Sequence, residues 1–196
     1  MKTLKHDRRS QRTHRLLAGA LVALLSENRY TDLTVQDILD RADIGRTTFY
    51  RHYWDKDDLL ASEIERVLDV LSRQTTARTY NRLLPLPSFE LFLHLQEQHT
   101  LYRALVRGQA IDVVLNAVKT RLIEQIEQNW RQILVKPIDD LRVQVAAQSV
   151  VGTFVTLLQW WMENDMQLSP AQMDAYFRQL TLPGVQAVLQ VKEEDL

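Results

Sequence analysis

Residues 34–56, TVQDILDRADIGRTTFYRHYWDK, decide how the rest of the chain is read. They predict two short helices joined by a tight turn. Thr34 is placed to cap the first, its hydroxyl accepting a backbone N–H of the opening turn, and Asp37 sets a carboxylate beside the positive helix end. Val35, Ile38, Leu39 and Ala42 recur at helical spacing and make one face apolar. Asp43 tolerates a left-handed turn, and Gly45 suits a helix start. A second short helix is predicted over 46–53, with Phe49 turned inward beside Ile44 and Tyr53. Its other face shows Arg46, Thr47, Thr48, Tyr50, Arg51 and His52: cations, hydroxyls and a phenol, without a carboxylate. A merely solvated helix face mixes both charge signs. This one suits phosphates and base edges. Two short helices, the second exposing donors, make a helix-turn-helix.

The run 38–60 resembles the DNA-binding signature of TetR-family transcriptional regulators. Members typically read Ala-Gly-Val-Ser-x-Gly-Thr-Phe-Tyr-x-His-Phe, then two residues and a lysine. Ala42, Ile44, Thr48, Phe49, Tyr50, His52, Tyr53 and Lys56 occupy those slots. Asp43, Gly45 and Thr47 depart from the pattern where Gly, Ser and Gly are common, and they bear on the operator sequence more than on the fold. The resemblance implies an all-α chain of about nine helices, an N-terminal three-helix helix-turn-helix domain followed by a helical regulatory and dimerisation domain.

Composition sets the outer bounds. The chain has 196 residues, 45 % apolar and 25 % charged, with 5 Gly and 5 Pro, too few for a turn-rich β protein. Without cysteine there is no disulfide framework, Cys-ligated zinc or thiol catalysis. Lys2, Lys5, Arg8, Arg9, Arg12 and Arg15 are not followed by the apolar core of a signal peptide. The most apolar stretch, 143–162, carries Gln144, Gln148, Ser149, Thr153, Thr156 and Gln159, too polar for a membrane span. A soluble cytoplasmic protein without a membrane partner is expected. Net charge is only −1, but residues 1–56 hold 11 Lys or Arg against 7 Asp or Glu, and the remainder 13 against 18. A basic head and an acidic body fit a molecule in which the head alone approaches phosphate.

The expected domains are 1–56, which binds DNA, and 57–196, which binds ligand and dimerises, with the fourth helix as connector and a joint near 75–88. Up to Asp7 the chain reads as a disordered basic arm, after which Arg8, Arg9 and Arg12 either reach DNA or belong to a solubilising tail. Helices are predicted over 10–28, from an Asp55 cap to about Arg73, from a Ser88 cap, from Thr100 to a closure at Gly108, over 109–134, and over 138–164 after a break at Pro137. The last begins at a Ser169–Pro170–Gln172 capping box and is bent or interrupted at Pro183 and Gly184, before an acidic frayed end at 193–195. The helix 138–164 is apolar nearly all round, so it is buried on more than one face.

Arg46, Thr47 and Arg51 are the candidates for base edges; Thr34, Thr48, Tyr50, His52 and Lys56 are those for phosphate. His94 and His99 are five apart, where helical metal motifs need four, and no phosphate-cradling glycine loop or nucleophile elbow exists. No metal, cofactor or enzymatic activity is expected. The body's aromatics admit two readings, core packing or the lining of the small-molecule pocket that the resemblance implies. The candidate pocket residues are Phe92, His99, Tyr102, Trp130, Phe154 and Gln159. Val151, Phe154, Leu158, Trp161, Tyr176 and Phe177 are the candidates for a homodimer interface. The expectation is a dimeric, ligand-responsive repressor on double-stranded, palindromic DNA. Its rival is a DNA-bound interaction protein whose body only dimerises or binds a protein.

Overall fold

The computed structural model describes residues 2–74, 81–107, 110–134 and 139–191. Among them are nine α-helices, one 3-10 turn and no strand. Two compact units are formed, residues 1–66 with 99–114 and residues 67–98 with 115–196. The division falls within the fourth helix, and the sixth helix belongs to the N-terminal unit.

The first unit holds α1 (Lys2–Glu27), the 3-10 turn Tyr30–Asp32, α2 (Val35–Ala42), α3 (Arg46–Phe49), the start of α4 (Lys56–Gln74) and α6 (His99–Arg107). Leu17, Leu21, Leu24 and Leu25 of α1 are buried, as are Ile38 and Leu39 of α2, Phe49 of α3 and Leu59 of α4. Helix α1 packs on both α2 and α6. It begins at Lys2 instead of following a disordered arm. Residues 2–18 contain neither Gly nor Pro and are rich in Lys, Arg and Leu, so helical propensity carries the helix to its start.

The second unit holds the rest of α4, α5 (Ser88–Glu97), most of α7 (Ile111–Ile133), α8 (Asp140–Glu163) and α9 (Pro170–Leu189). Helix α9 packs against α5 and α8. Phe92 of α5, Phe154 and Trp161 of α8 and Phe177 of α9 form one aromatic cluster. Ring centroids lie 5.1 Å apart for Phe92–Phe154, 5.5 Å for Phe92–Trp161 and 5.4 Å for Phe154–Phe177. Tilted and edge-on pairs at this spacing each add about 0.5–1.5 kcal/mol beyond burial.

Segment 81–87 is packed. Leu83, Leu84 and Leu86 are buried, the Asn81 side chain accepts the N–H groups of Leu83 and Leu84, and the buried Trp130 indole donates to the Leu83 carbonyl at 3.1 Å. The joint's remaining residues, 75–80, lie outside the described residues, as do the expected closure at Gly108, the break at Pro137 and the acidic end.

Three features of the helices reflect tertiary context. Ser88 does not cap α5; its hydroxyl donates to Asp174 of α9, which Arg178 also grips at 2.9 Å. Helix α9 runs through Pro183 without interruption. A mid-helix proline costs about 3 kcal/mol. Burial of Phe177, Thr181, Val185 and Leu189 on both sides of Pro183 offsets that cost, and Pro183 itself is exposed. Helix α8 carries an 18-residue window of mean hydropathy 1.4, 39 % of it buried, long and apolar enough to cross a membrane by composition. Here it is the core helix of the second unit.

Candidate nucleic-acid interface

Local chemistry builds the α2–α3 element. Thr34 Oγ1 accepts from Asp37 N at 3.2 Å, and the Asp37 carboxylate accepts Thr34 N at 2.8 Å and the Thr34 hydroxyl at 2.6 Å. This closed capping box satisfies two orphan donors. The hydroxyl, followed by the backbone N–H, holds the Asp37 carboxyl below the usual carboxylate range. Asp43 ends α2 in the left-handed conformation, φ 52° and ψ 48°, and Gly45 is the N-cap of α3. Regular α-helix ends at Phe49, earlier than the sequence predicts. The chain continues as turns, with His52 N and Tyr53 N both donating to Phe49 O.

Phe49 is wholly buried and anchors the element, its ring edge-on to Tyr50 at 5.3 Å. The opposite side presents Arg46, Thr47, Tyr50 and Arg51 as exposed side chains, with Thr48 and His52 half-exposed. Arg46 is already oriented: its Nε donates to Gln36 Oε1 at 3.0 Å, and the Gln36 amide in turn donates to Asp40 at 2.6 Å. Gln36 belongs to α2 and was not singled out from the sequence. Nothing in a 3.6-residue period reveals a pairing across a turn.

Besides Arg46, two more of the eight expected contact residues bond within the protein. The Thr34 hydroxyl proton goes to Asp37. The Lys56 ammonium donates to the carbonyls of Tyr30 and Leu33, both at 2.7 Å. Trp54, also not singled out, is the most exposed large apolar side chain described, at 87 %.

A second group absent from the sequence reading ties the end of this element to its scaffold. His14 of α1 bridges Tyr53 and Glu63 of α4, with Nε2 at 2.7 Å from the Glu63 carboxylate and Nδ1 hydrogen-bonded to the Tyr53 hydroxyl. A carboxylate only accepts, so Nε2 carries a proton toward Glu63, while Nδ1 meets the Tyr53 hydroxyl. Burial raises the Tyr53 hydroxyl above its usual range. Glu63 is 8 % exposed and is also gripped by Arg66 at 2.8 Å. The three residues are 39 and 49 positions apart, so only the fold could show this group.

The comparisons agree with this geometry. The model of bacterial regulatory proteins of the tetR family matches residues 17–62. The model of a transcriptional regulator C-terminal region matches 88–182. The chain belongs to the TetR family of transcriptional regulators. It is thus a DNA-binding regulator of all-α, helix-turn-helix architecture.

An uncharacterized HTH-type transcriptional regulator, YxbF of Bacillus subtilis (strain 168), is 36 % identical over 77 residues, 38 % of this chain. The match spans only 20 % of that protein's length. Among solved structures, a TetR transcriptional regulator from Streptococcus agalactiae 2603V superposes with TM-score 0.61 at 23 % identity, covering 91 % of this chain and 98 % of that one. The dihydroxyacetone kinase operon activator DhaS gives 0.54 at 19 %, covering 89 % and 97 %. NalD, the secondary repressor of the MexAB-OprM multidrug efflux pump in Pseudomonas aeruginosa, gives 0.55 at 17 %, also covering 89 % and 97 %. At these identities the structural likeness is one of fold.

The body candidates fall differently. His99 and Tyr102 lie in the first compact unit, Phe92, Trp130, Phe154 and Gln159 in the second. Phe92 and Trp130 are fully buried and Phe154 nearly so, packed in the core of the second unit. Tyr102 is sheltered enough that burial pushes its hydroxyl up to about 12, while His99 is exposed and Gln159 half-buried.

Of the interface candidates, Val151, Phe154, Leu158, Trp161 and Phe177 are buried within the protomer, so they offer no surface to a partner; Tyr176 alone is exposed. The exposed apolar side chains of the α8–α9 pair are instead Leu141, Val145 and Trp160 on α8 and Tyr176, Leu180 and Val188 on α9. A groove of about 150 Å³ runs between these helices, lined by Val145, Ser149, Thr153, Leu180, Gly184 and Val188 among others. A methyl added at Gly184 would meet nothing within 4 Å, so the groove floor is open.

Proposed function

We propose that this chain is a dimeric, ligand-responsive repressor that reads a palindromic operator. Its N-terminal domain, 1–56, binds DNA, and the remainder, 57–196, binds ligand and dimerises, with α4 as connector. The carrying observation is the exposed face Arg46, Thr47, Tyr50 and Arg51, free of carboxylates and anchored from behind by Phe49. Arginine forks read guanine edges in the major groove, and phosphate contacts set register. Arg46 and Arg51 with Thr47 are assigned to base edges, Thr48, Tyr50 and His52 to phosphates.

Dimer symmetry makes the operator an inverted repeat. The exposed α8–α9 stripe supports a self-complementary, isologous interface, since unpartnered apolar faces of this kind mark association surfaces. NalD's role supports repression; that of DhaS supports the opposite sign. The chain acts in the cytoplasm, where its DNA is.

Selection of bound duplexes from a random library tests the reading. An enriched inverted repeat is expected, and equal recovery of all sequences would sink it.

A second reading, a DNA-bound protein whose body only dimerises or binds another protein, is favoured by one observation: Phe92, Trp130 and Phe154 are packed as core. Operator complexes challenged with metabolite extracts separate the two readings. Release by a small-molecule fraction selects the ligand-responsive form; insensitivity to every fraction selects the other.

A further inference from the structure

The ammonium of Lys56 has three N–H donors and no acceptor. Two are used at charge-assisted distance, 2.7 Å each, on the carbonyls of Tyr30 and Leu33. The same nitrogen stands 4.4 Å above the Tyr30 ring centroid, within cation–π range. Tyr30 and Leu33 are 5 % and 4 % exposed. The next residue, Asp57, accepts the Tyr30 hydroxyl. The first two residues of α4 thus hold Tyr30 at its carbonyl, ring face and hydroxyl. Leu33 leads straight into Thr34, the cap of α2.

A lysine at this slot is expected to neutralise phosphate. One N–H remains for such a contact, but drawing the ammonium out to a phosphate would pull it from two carbonyls of a buried turn and from an aromatic face, leaving one carbonyl, that of Tyr30, with only a long 3.3 Å bond from Leu33 N.

We propose that Lys56 is a positioning residue: it fixes the entry of α2, and with it the presentation of α3, by gripping the Tyr30–Leu33 turn, and it does not neutralise a DNA phosphate. The role in reading rests on the DNA-binding assignment; the clamp itself is tested without DNA.

The test uses the full chain and two variants, Lys56→Met and Lys56→Arg. Arginine keeps the charge but replaces a compact ammonium by a larger planar fork, whose reach and donor geometry differ from the seat between the two carbonyls and the Tyr30 ring. In hydrogen exchange without DNA, the amides of Leu33, Asp37 and Ile38 are expected to exchange at least about tenfold faster in both variants, with α9 amides unchanged as the control for folding. On a short mixed-sequence duplex titrated with salt, Lys56→Met is expected to keep the wild-type slope of log K against log salt. Loss of one phosphate contact would lower that slope by about 0.9. Wild-type exchange rates in both variants, or a slope lowered by about 0.9 in Lys56→Met, overturns the proposal. Failure of the wild type to bind any duplex would instead sink the DNA-reading assignment, and the exchange rates would still decide the clamp.

Discussion

The α2–α3 element and the α8–α9 pair each turn an exposed face to solvent, and the two faces were not equally readable. On α3 the polar and apolar sides are chemically distinct, so placing Phe49 in the core also places Arg46, Thr47 and Arg51 outside. On α8 both sides are apolar. Val143, Ala147, Val150, Val151, Phe154, Leu158 and Trp161 face the core, while Leu141, Val145 and Trp160 face out. Periodicity identifies a buried face where the opposite face is polar. Where both are apolar, it gives two faces and no assignment.

Phe154→Ala is expected to lower unfolding free energy by about 3–5 kcal/mol, as for a buried aromatic, without changing sedimentation mass. Leu180→Asp is expected to do the reverse, leaving the protomer folded and weakening self-association by about 2 kcal/mol or more, the scale of an interface hot spot. Copies separated by Phe154→Ala and unaffected by Leu180→Asp would exchange the roles of the buried and exposed faces of the α8–α9 pair.

The reading face is sharpened next. Arg46→Ala is expected to lose about 1–3 kcal/mol on the selected operator and to relax preference at one half-site position. Gln36→Ala, which removes the orienting amide and not the reading group, should show a smaller loss at the same position in a competition mobility shift. A larger loss from Gln36→Ala would make that amide a contact in its own right.

Thr34→Ala is expected to cost about 1 kcal/mol of stability through the lost cap, read by denaturant unfolding. Its effect on binding should follow stability and not sequence.

The smallest expected effect is acidic. Burial holds the His94 imidazole below its ordinary value of 6.5, with Glu97 pulling the other way. Above that pH both folded and unfolded chains carry neutral imidazole. Below it the unfolded chain takes up a proton that the folded chain resists, so stability falls as pH drops. Thermal unfolding followed from pH 7.5 to about 5.5 should show a shallower fall in His94→Gln than in wild type; parallel curves would assign the acid sensitivity elsewhere.

Local stereochemistry wrote much of the head into the sequence. The Thr34 cap, the left-handed Asp43, the Gly45 start and the Asp55 cap of α4, which accepts the N–H groups of Asp57 and Asp58, each depend on residues within a few positions. So did the capping box at Ser169 and the number of helices. Several features required the folded chain. Pro183 stays helical because residues on both sides of it are buried, Ser88 bonds to Asp174 across 86 positions, and His14, Tyr53 and Glu63 meet from two helices and the turn after α3. Lys56 was legible as a cation but not as a clamp. A sequence states which groups a residue carries; how those groups are shared out depends on which carbonyls and carboxylates the fold brings within 3 Å. By itself, then, this sequence determined an all-α chain with a helix-turn-helix, because propensity, caps and periodicity act over a few residues. Tertiary structure alone decided which apolar face is core, which is surface, and which donors stay exposed, because burial and long-range hydrogen bonding belong to the packed chain.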